Sequence, residues 1–318
     1  MPTIYLTEAD VSRLVDMAAT IDVVETAFHK LGHGEVSNVP RNRATAHGVV
    51  LHTMSAAVEY LGYSGWKSYT TTRSGARFLV GIYENATGEL VALIEADGLG
   101  QLRTGAVTGV AAKHLAVKGA DRVGLFGTGT QARTQLAAVA SVCKLKKALV
   151  YGRDPERRAS FATWLSDELQ LEVVPVEAPV QAVRDLPIVI TATTSREPVF
   201  AGDDLAPGTL VCAAGSNWLN KAEIDVRTVR RASRVVCDDV AACKHEAGDL
   251  QPALREGVFQ WESAVALGDV IAGKADGRKS RDEIVLFKSV GLAMEDVALA
   301  AEVVKRAKEA GIGTLLPL

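Results

Sequence analysis

Long apolar runs and blocks of positive charge are both absent from this chain. No stretch of about 18 consecutive apolar residues occurs in it, which argues against a membrane-spanning helix. Acidic and basic residues are well mixed, with a formal net charge of -3, so no basic patch is present to bind nucleic acid or an anionic membrane surface. We therefore expect a small-molecule partner, with no nucleic acid and no membrane involved.

Cysteine and histidine are sparse and unclustered. The four cysteines form no Cys-x-x-Cys pair and the six histidines form no His-Glu-x-x-His pattern. The first seven residues lack the charged and long apolar regions of a secretory signal. These absences predict free thiols, no metal site and a cytoplasmic protein.

The strongest positive signal is residues 123–132, a pattern typical of a buried strand, a tight glycine turn and a helix. Gly127 permits the sharp turn, Gly129 leaves room for a pyrophosphate close to the backbone, and Ala132 allows the helix to pack on the strand. The positive end of that helix faces the same anion. We predict a dinucleotide-binding turn formed by Gly127, Thr128, Gly129, Thr130, Gln131 and Ala132.

The pattern of elements changes along the chain. Residues before about 115 mix helices with strands that are predicted to pair antiparallel, including a hairpin turn at His47-Gly48. From residue 123 onward, short β-rich runs alternate with amphipathic segments, which is typical of a doubly wound parallel sheet. We predict an α/β fold: a smaller α+β substrate-binding and dimerisation domain at 1–115, with 293–318 packing back on it, and a Rossmann-type domain at 116–292.

The corner after the second Rossmann strand bears on the choice of cofactor. Gly152 stands where an acid that selects NAD is often found, and Arg153 follows it directly. Because an arginine accommodates the 2′-phosphate, Arg153 favours NADP(H). Asp154 keeps NAD(H) open.

Four cations in the first domain are candidates for binding a substrate carboxylate. Arg103 precedes Thr104, a predicted N-cap, so its guanidinium would lie near a positive helix end. Lys67 lies on a predicted strand, and the pair Arg41 and Arg43 share one strand face at a spacing of two. Each of these cations is also compatible with an ordinary surface charge.

Four ordered segments resemble the ornithine cyclodeaminase/mu-crystallin family. They are Arg-Thr-Gly-Ala at 103–106, Gly-Thr-Gly-Thr-Gln-Ala at 127–132, Glu-Ala-Gly-Asp-Leu at 246–250 and Phe-Lys-Ser-Val-Gly-Leu-Ala-Met-Glu-Asp at 287–296. That family includes ornithine and lysine cyclodeaminases, an archaeal type of alanine dehydrogenase, cyclic ketimine reductases and mu-crystallin. Its members differ in chemistry, so the resemblance alone does not select a reaction.

The resemblance implies a homodimer whose first domain provides the substrate pocket and the subunit interface. It implies that Arg43 and Arg103 bind the substrate carboxylate, with Lys67 beside it as a second cation or proton donor. Arg41 is the rival to Arg43, because the intervening hairpin varies in length. The resemblance also implies cofactor contacts from Thr191, Thr193, Ser289 and Gly291.

One position departs from the cyclodeaminase pattern. Where cyclodeaminases of the family carry an acidic residue, this sequence has Asn217. An amide cannot act as a general base near neutral pH, although it can hydrogen-bond a substrate nitrogen or a water. The leading hypothesis is therefore an NAD(P)H-dependent oxidoreductase acting on the C–N bond of a small amino or imino acid. A cyclic ketimine such as pyrroline-2-carboxylate or piperideine-2-carboxylate, or alanine with its oxo acid, is the expected substrate.

Two alternative functions stay open. One is an NAD-dependent ammonia lyase of the ornithine cyclodeaminase type, and the other is a non-enzymatic NADP(H)-dependent binding protein like mu-crystallin. Two acidic pairs, Glu295-Asp296 and Glu246 with Asp249, are interpreted as structural, because each is predicted to lie at a helix start where acids complement the dipole.

Overall fold

The computed structural model describes residues 3–317. The strands within these residues are β1 (Thr3–Leu6), β2 (Val36–Ala46), β3 (Val49–Val58), β4 (Tyr63–Thr72), β5 (Gly75–Glu84), β6 (Leu90–Glu95), β7 (Arg122–Phe126), β8 (Lys147–Tyr151), β9 (Glu172–Pro175), β10 (Ile188–Thr191), β11 (Leu210–Ala213), β12 (Arg234–Cys237), β13 (Val265–Ala266), β14 (Val285–Lys288) and β15 (Thr314–Leu316). The α-helices are α1 (Glu8–Leu14), α2 (Met17–Gly32), α3 (Asp97–Leu115), α4 (Thr130–Val142), α5 (Pro155–Leu169), α6 (Val226–Arg231), α7 (Val240–Glu246), α8 (Gln251–Arg255), α9 (Leu267–Ile271) and α10 (Ala293–Ala310). None of the helices in this part of the chain has both the length and the apolarity needed to cross a membrane.

The chain divides into two compact units. The first unit comprises residues up to Thr104 together with residues from Gly291 onward, and the second unit is Gly105–Val290. One division falls inside α3, whereas the sequence placed it at 115/116, where that helix ends. A continuous helix gives no local signal of a change of unit within it, so the sequence pattern points to its end instead.

The first unit is built on a seven-stranded sheet with the order β15-β1-β6-β5-β4-β3-β2. Strands β2 to β6 form successive antiparallel pairs, and the predicted hairpin turn at His47-Gly48 is confirmed, with Gly48 at a φ of 79°. Helix α10 packs on β2 to β5 and on α2. Its apolar side chains Met294, Val297 and Val304 are fully buried, so this helix lies in the core of the unit.

Helix α3 begins earlier than the sequence predicted. Its first residue is Asp97, so Arg103 and Thr104 lie inside the helix, and the expectation that Thr104 is its N-cap is wrong. The side chain of Glu8 caps the true start, because its carboxylate accepts hydrogen bonds from the backbone N–H groups of Asp97 (2.6 Å) and Gly98 (2.8 Å). A cap supplied by a residue so distant in sequence leaves no local signature.

The second unit contains an eight-stranded parallel sheet with the order β13-β12-β14-β11-β10-β7-β8-β9. Counted from β7, the chain first adds β8 and β9 on one side and then β10, β11 and later strands on the other. The strand order therefore reverses between β7 and β10. In open sheets of this kind, ligands bind beyond the carboxyl ends of the strands at that reversal. The predicted α/β class with a Rossmann-type sheet is confirmed.

Candidate functional site

The turn between β7 and α4 has the backbone geometry that phosphate binding requires. Gly127 has a φ of 117°, and a side chain there would clash with the carbonyl oxygen of Ala192, so only glycine fits. At Gly129 an added Cβ would meet no atom within 4 Å, which lets a ligand approach the backbone. Gly129 is the N-cap of α4 and offers no side-chain acceptor, so the first N–H groups of the helix can donate to an anion.

A cavity of about 310 Å³ lies against this turn in the second unit. It is lined by residues 126–129, by residues 151–154 with Arg157 at the end of β8, and by residues 192–195 after β10. The structure therefore brings together six of the predicted cofactor residues at one surface, with Thr130, Gln131 and Ala132 in the first turn of the adjoining helix. Those six are Gly127, Thr128, Gly129, Arg153, Asp154 and Thr193.

Two arginines stand at the corner after β8. Arg153 is exposed, and the guanidinium of Arg157 donates to the carbonyl oxygen of Thr128 at 3.2 Å. Asp154 is the N-cap of α5, and its carboxylate accepts a hydrogen bond from the backbone N–H of Arg157 at 3.0 Å. Arg157 was not selected from the sequence, although a second arginine in the first turn of the helix after this strand was a readable signal.

The side chains of Thr191 and Ser289 are engaged away from this cavity. The Thr191 hydroxyl donates to Glu223 at 3.0 Å, and the Ser289 hydroxyl donates to Asp238 at 2.9 Å. The side chains of Thr191 and Ser289 are both buried. Gly291, which the resemblance also placed at the nicotinamide, belongs to the first unit.

Glu223 is a fully buried carboxylate that was not selected from the sequence. It accepts hydrogen bonds from the backbone N–H groups of Thr193 (2.6 Å) and Gly215 (2.7 Å). Burial and, secondarily, the charge of Asp249 raise the pKa of Glu223. This side chain ties together the loops that follow β10 and β11, and the second loop carries the half-buried Asn217.

Lys288 contacts the same loop through a buried hydrogen bond. Its ammonium donates to the carbonyl oxygen of Ser216 at 2.7 Å and pairs with Asp249 at 2.7 Å, with both side chains fully buried. Glu246 is the last residue of α7, so the prediction of a helix start is wrong for Glu246, whereas Asp249 lies in the first turn of a short 3-10 helix. Asp249 was interpreted as structural, and its contact is a buried ion pair with Lys288, which is remote in sequence.

In the first unit, Lys67 and Arg103 share one carboxylate. The Lys67 ammonium lies 2.7 Å from Asp296 Oδ1, and Arg103 Nε lies 3.1 Å from the same oxygen. Arg103 Nη1 also pairs with Glu295 at 2.7 Å. Lys67 is 2% exposed and Arg103 is 6% exposed, so these are buried ion pairs.

Both Arg41 and Arg43 lie on the sheet face that carries Lys67. Arg43 is opposite His52, and His52 is opposite Tyr69, which is two residues from Lys67 on β4. Arg41 is the deeper of the two arginines: it is 8% exposed and donates to the carbonyl oxygen of Gly291 at 3.4 Å. We call Arg41, Arg43, Lys67 and Arg103 the cationic cluster.

Burial and mutual charge set the protonation of this cluster. Burial, opposed by Asp296 and reinforced by Arg103 and Arg41, lowers the pKa of Lys67 to about 8. Burial also tends to lower the pKa of Arg103, but the charges of Asp296 and Glu295 outweigh it and raise that pKa.

The cationic cluster brings one ammonium and three guanidinium groups together in the first unit. Two of its members, Lys67 and Arg103, pair with Asp296 and Glu295. Guanidinium and ammonium groups in this arrangement suit an anionic ligand, and a carboxylate matches the bidentate geometry of arginine. Among residues 3–317 no group of three or more histidine, cysteine or acidic side chains is placed to hold a metal ion.

This chain is similar in sequence to a known protein family and to individual proteins. A sequence model of the ornithine cyclodeaminase/mu-crystallin family matches residues 1–311. The Delta(1)-pyrroline-2-carboxylate reductase of Bacillus cereus is 36% identical over 228 residues, which cover 71% of this chain and 70% of that protein.

Two solved structures share the fold closely. The Delta(1)-pyrroline-2-carboxylate reductase of Thermococcus litoralis, in complex with NADH and L-proline, is 33% identical with a TM-score of 0.95, covering 99% of this chain and 100% of its own. An archaeal alanine dehydrogenase dimer with bound NAD is 31% identical with a TM-score of 0.94, covering 100% of both chains.

Proposed function

The chain belongs to the ornithine cyclodeaminase/mu-crystallin family, and from this premise we propose that it is an NAD(P)H-dependent oxidoreductase acting on the C–N bond of a small imino or amino acid. The expected substrate is a cyclic ketimine such as pyrroline-2-carboxylate or piperideine-2-carboxylate, with alanine and its oxo acid as the next candidate. The observation that carries this proposal is the buried cationic cluster around Lys67, in a chain that also has a phosphate-binding turn. The names of the similar proteins point the same way, since they are reductases and a dehydrogenase of such compounds.

The members of the cationic cluster have two proposed roles, which are binding of the substrate carboxylate and donation of a proton. Arg103 and Arg41, with Arg43 at the more exposed edge, bind the substrate carboxylate through charge-assisted hydrogen bonds. Lys67 Nζ donates a proton to the substrate nitrogen, and a pKa of about 8 suits a group that must be protonated near neutral pH yet able to release its proton.

When bound, a nicotinamide dinucleotide would supply the hydride for the imine carbon and would itself be oxidised. Reduction of the C=N bond to CH–NH also needs one proton on nitrogen, and Lys67 Nζ is the group proposed to supply it. Gly127 and Gly129 fit such a cofactor, because one permits the turn and the other leaves the backbone open beside uncapped helix N–H groups.

Asn217 is the residue we assign to the substrate nitrogen or to a water beside it. Its amide hydrogen-bonds but does not remove a proton near neutral pH. Reduction of an imine needs no such base, whereas a cyclodeaminase of this family has an acid there. This difference favours the reductase over the lyase.

For the cofactor, NADP(H) is favoured over NAD(H). Arg153 and Arg157 line the cavity at the corner after β8, the part of a Rossmann fold that meets the adenosine ribose, and the carboxylate of Asp154 accepts a hydrogen bond from the first turn of α5. The two similar solved structures contain NADH and NAD.

The protein is proposed to be a homodimer joined through the first unit. Its sheet has one face packed against α10, and the opposite face exposes large apolar side chains on three strands. They are Val39 on β2, Leu51 on β3, and Leu79 and Tyr83 on β5. An exposed apolar sheet face of this kind suits a subunit interface, and the similar archaeal alanine dehydrogenase is a dimer.

The test is a substrate panel with the purified protein. NADPH or NADH is mixed with pyrroline-2-carboxylate, with piperideine-2-carboxylate, and with pyruvate plus ammonia, and the loss of nicotinamide absorbance is followed. Loss with a cyclic ketimine supports the proposal, and no loss with any of these refutes the reductase.

Further measurements separate the reductase from the lyase and from the binding protein. Release of ammonia from ornithine by the unaltered protein, without net change of the cofactor, would establish the lyase instead. Appearance of that activity only in Asn217→Asp would support the role given to the amide. Calorimetric binding of NADPH and an amino acid without turnover would establish a binding protein.

A further inference from the structure

We propose that Asp296 is a positioning residue for Lys67, with one of its oxygens holding the Lys67 ammonium and the Arg103 guanidinium at a fixed separation. This inference rests on the proposed function, in which Lys67 donates a proton and Arg103 binds the carboxylate. Asp296 lies in the first turn of α10, and it joins Lys67 on β4 to Arg103 on α3.

The contacts concentrate on a single oxygen. Asp296 Oδ1 accepts from Lys67 Nζ at 2.7 Å and from Arg103 Nε at 3.1 Å, and its side chain is fully buried. Asp296 Oδ2 makes no hydrogen bond within the described residues. The hydrogen bonds of this carboxylate are therefore directed at the two cations that the proposed reaction uses.

Lys67 has little freedom to leave this position. A Cβ added at Gly100 in α3 would lie 2.7 Å from Lys67 Nζ, so the ammonium occupies the space that this glycine leaves. On another side, Nζ lies 5.2 Å from the ring centroid of Phe78. The ammonium is thus enclosed by a glycine backbone, an aromatic ring and one carboxylate oxygen.

The charges around Lys67 oppose one another. Burial, Arg103 on α3 and Arg41 on β2 all favour the neutral amine, whereas Asp296 on α10 favours the ammonium. Without Asp296, Lys67 would lose its proton at a lower pH and cease to be a donor near neutrality. Glu295, the neighbour of Asp296, pairs with Arg103 at 2.7 Å and offers a matched acid-to-amide control.

The first experiment measures Lys67 directly and needs no substrate. The unaltered protein, D296N and E295Q are prepared with 13C-labelled lysine, and NMR follows the Lys67 Cε shift over a range of pH to give the midpoint of its titration. We expect a midpoint near pH 8 in the unaltered protein. We expect the midpoint to fall by about 1–3 pH units in D296N, and to stay close to its original value in E295Q. Equal midpoints in D296N and the unaltered protein would overturn the proposal.

The second experiment measures turnover in the same variants. D296N should lower kcat by about tenfold or more and shift the alkaline limb of kcat/KM to lower pH. E295Q should raise KM through Arg103 while leaving that limb in place. A purely structural role for Asp296 would lower activity in D296N without moving the limb, and that outcome would also overturn the proposal.

A third variant covers the case in which D296N does not fold. Gly100→Ala lies inside a helix, where alanine is favourable, and its methyl group displaces the Lys67 ammonium while Asp296 stays. We expect a lower titration midpoint for Lys67 and a lower kcat. An unchanged midpoint together with an unchanged kcat would contradict the positioning role proposed for Asp296. Because the titration needs no substrate, absent turnover with a shifted midpoint would refute the proposed function alone.

Discussion

Replacement of Lys67 by methionine is expected to separate activity from stability. Lys67 is 2% exposed, and burial lowers its pKa from the usual 10.5 to about 8. At about 1.4 kcal/mol for each pH unit, keeping the ammonium charged in the folded protein costs roughly 3 kcal/mol. This cost is a net value that already includes the attraction of Asp296, and methionine, which has similar length, removes it.

The loss of the ion pair is limited, because Asp296 keeps a second partner. Arg103 Nε remains 3.1 Å from Asp296 Oδ1, so the carboxylate is not left alone in the interior. Replacing a buried charged group by an apolar one of similar volume is often nearly neutral when no uncompensated charge remains. We expect the free energy of unfolding to change by less than about 2 kcal/mol in either direction.

The loss of activity should be far larger. Removing a general acid from a proton-transfer step slows it by about 10²–10⁴-fold, so kcat/KM for pyrroline-2-carboxylate should fall by that factor. Initial rates of NAD(P)H oxidation and a thermal denaturation curve measure the two quantities. The control is Lys146→Met, which removes an ammonium that is 79% exposed and paired only at the surface, and it should change neither. A K67M enzyme within about threefold of the unaltered rate would refute the role given to Lys67.

Three further predictions concern the pH dependence set by Lys67 and the residues that line the dinucleotide cavity. First, kcat/KM should fall as pH rises through about 8, where Lys67 loses its proton, and a flat alkaline profile would contradict this. Over the window from about 8 to 10.5 the unfolded chain binds more protons at this residue than the folded one, so its contribution to unfolding free energy should rise with pH. Second, Gly127→Ala should weaken dinucleotide binding in calorimetry by about tenfold or more, because φ is 117° and the methyl group meets the Ala192 carbonyl. Third, Arg153→Gln and Arg157→Gln should each weaken NADPH binding by about tenfold or more and leave NADH binding within about threefold; equal losses for both cofactors would remove the argument for NADP(H).

The strands of the second unit were the most predictable part of the fold. Strands β10, β11 and β12 lie in the part of the chain, from residue 123 onward, where the sequence predicts short β-rich runs. Each is a short run of buried apolar residues flanked by turn residues, and a parallel sheet covered on both faces requires such runs. Local sequence therefore carries enough information to place them.

Elements that depend on distant partners could not be placed in this way. Strand β1 pairs with β15 from the other end of the chain and with β6, and both β1 and β15 are short. The start of α3 depends on Glu8, whose carboxylate caps the helix from 89 residues away. In each case the stabilising hydrogen bonds come from residues far away in sequence, so neither periodicity nor capping rules predict them.

The acidic pair Glu295-Asp296 shows how a local rule can be correct and still miss a function. Both residues do lie in the first turn of α10, where an acid gains about 0.3–1 kcal/mol from the helix dipole. Dipole complementarity does not account for full burial, because a carboxylate removed from water needs a cation. The signal was present in the helix itself: residues 293–301 are apolar on every side except for these two acids, which predicts a helix buried all round. Two acids on such a helix require buried cations, and the amino-acid sequence offers four candidates, Arg41, Arg43, Lys67 and Arg103. The burial of the helix therefore predicts that its acids have cationic partners, whereas the choice of Lys67 and Arg103 depends on how distant strands and helices pack.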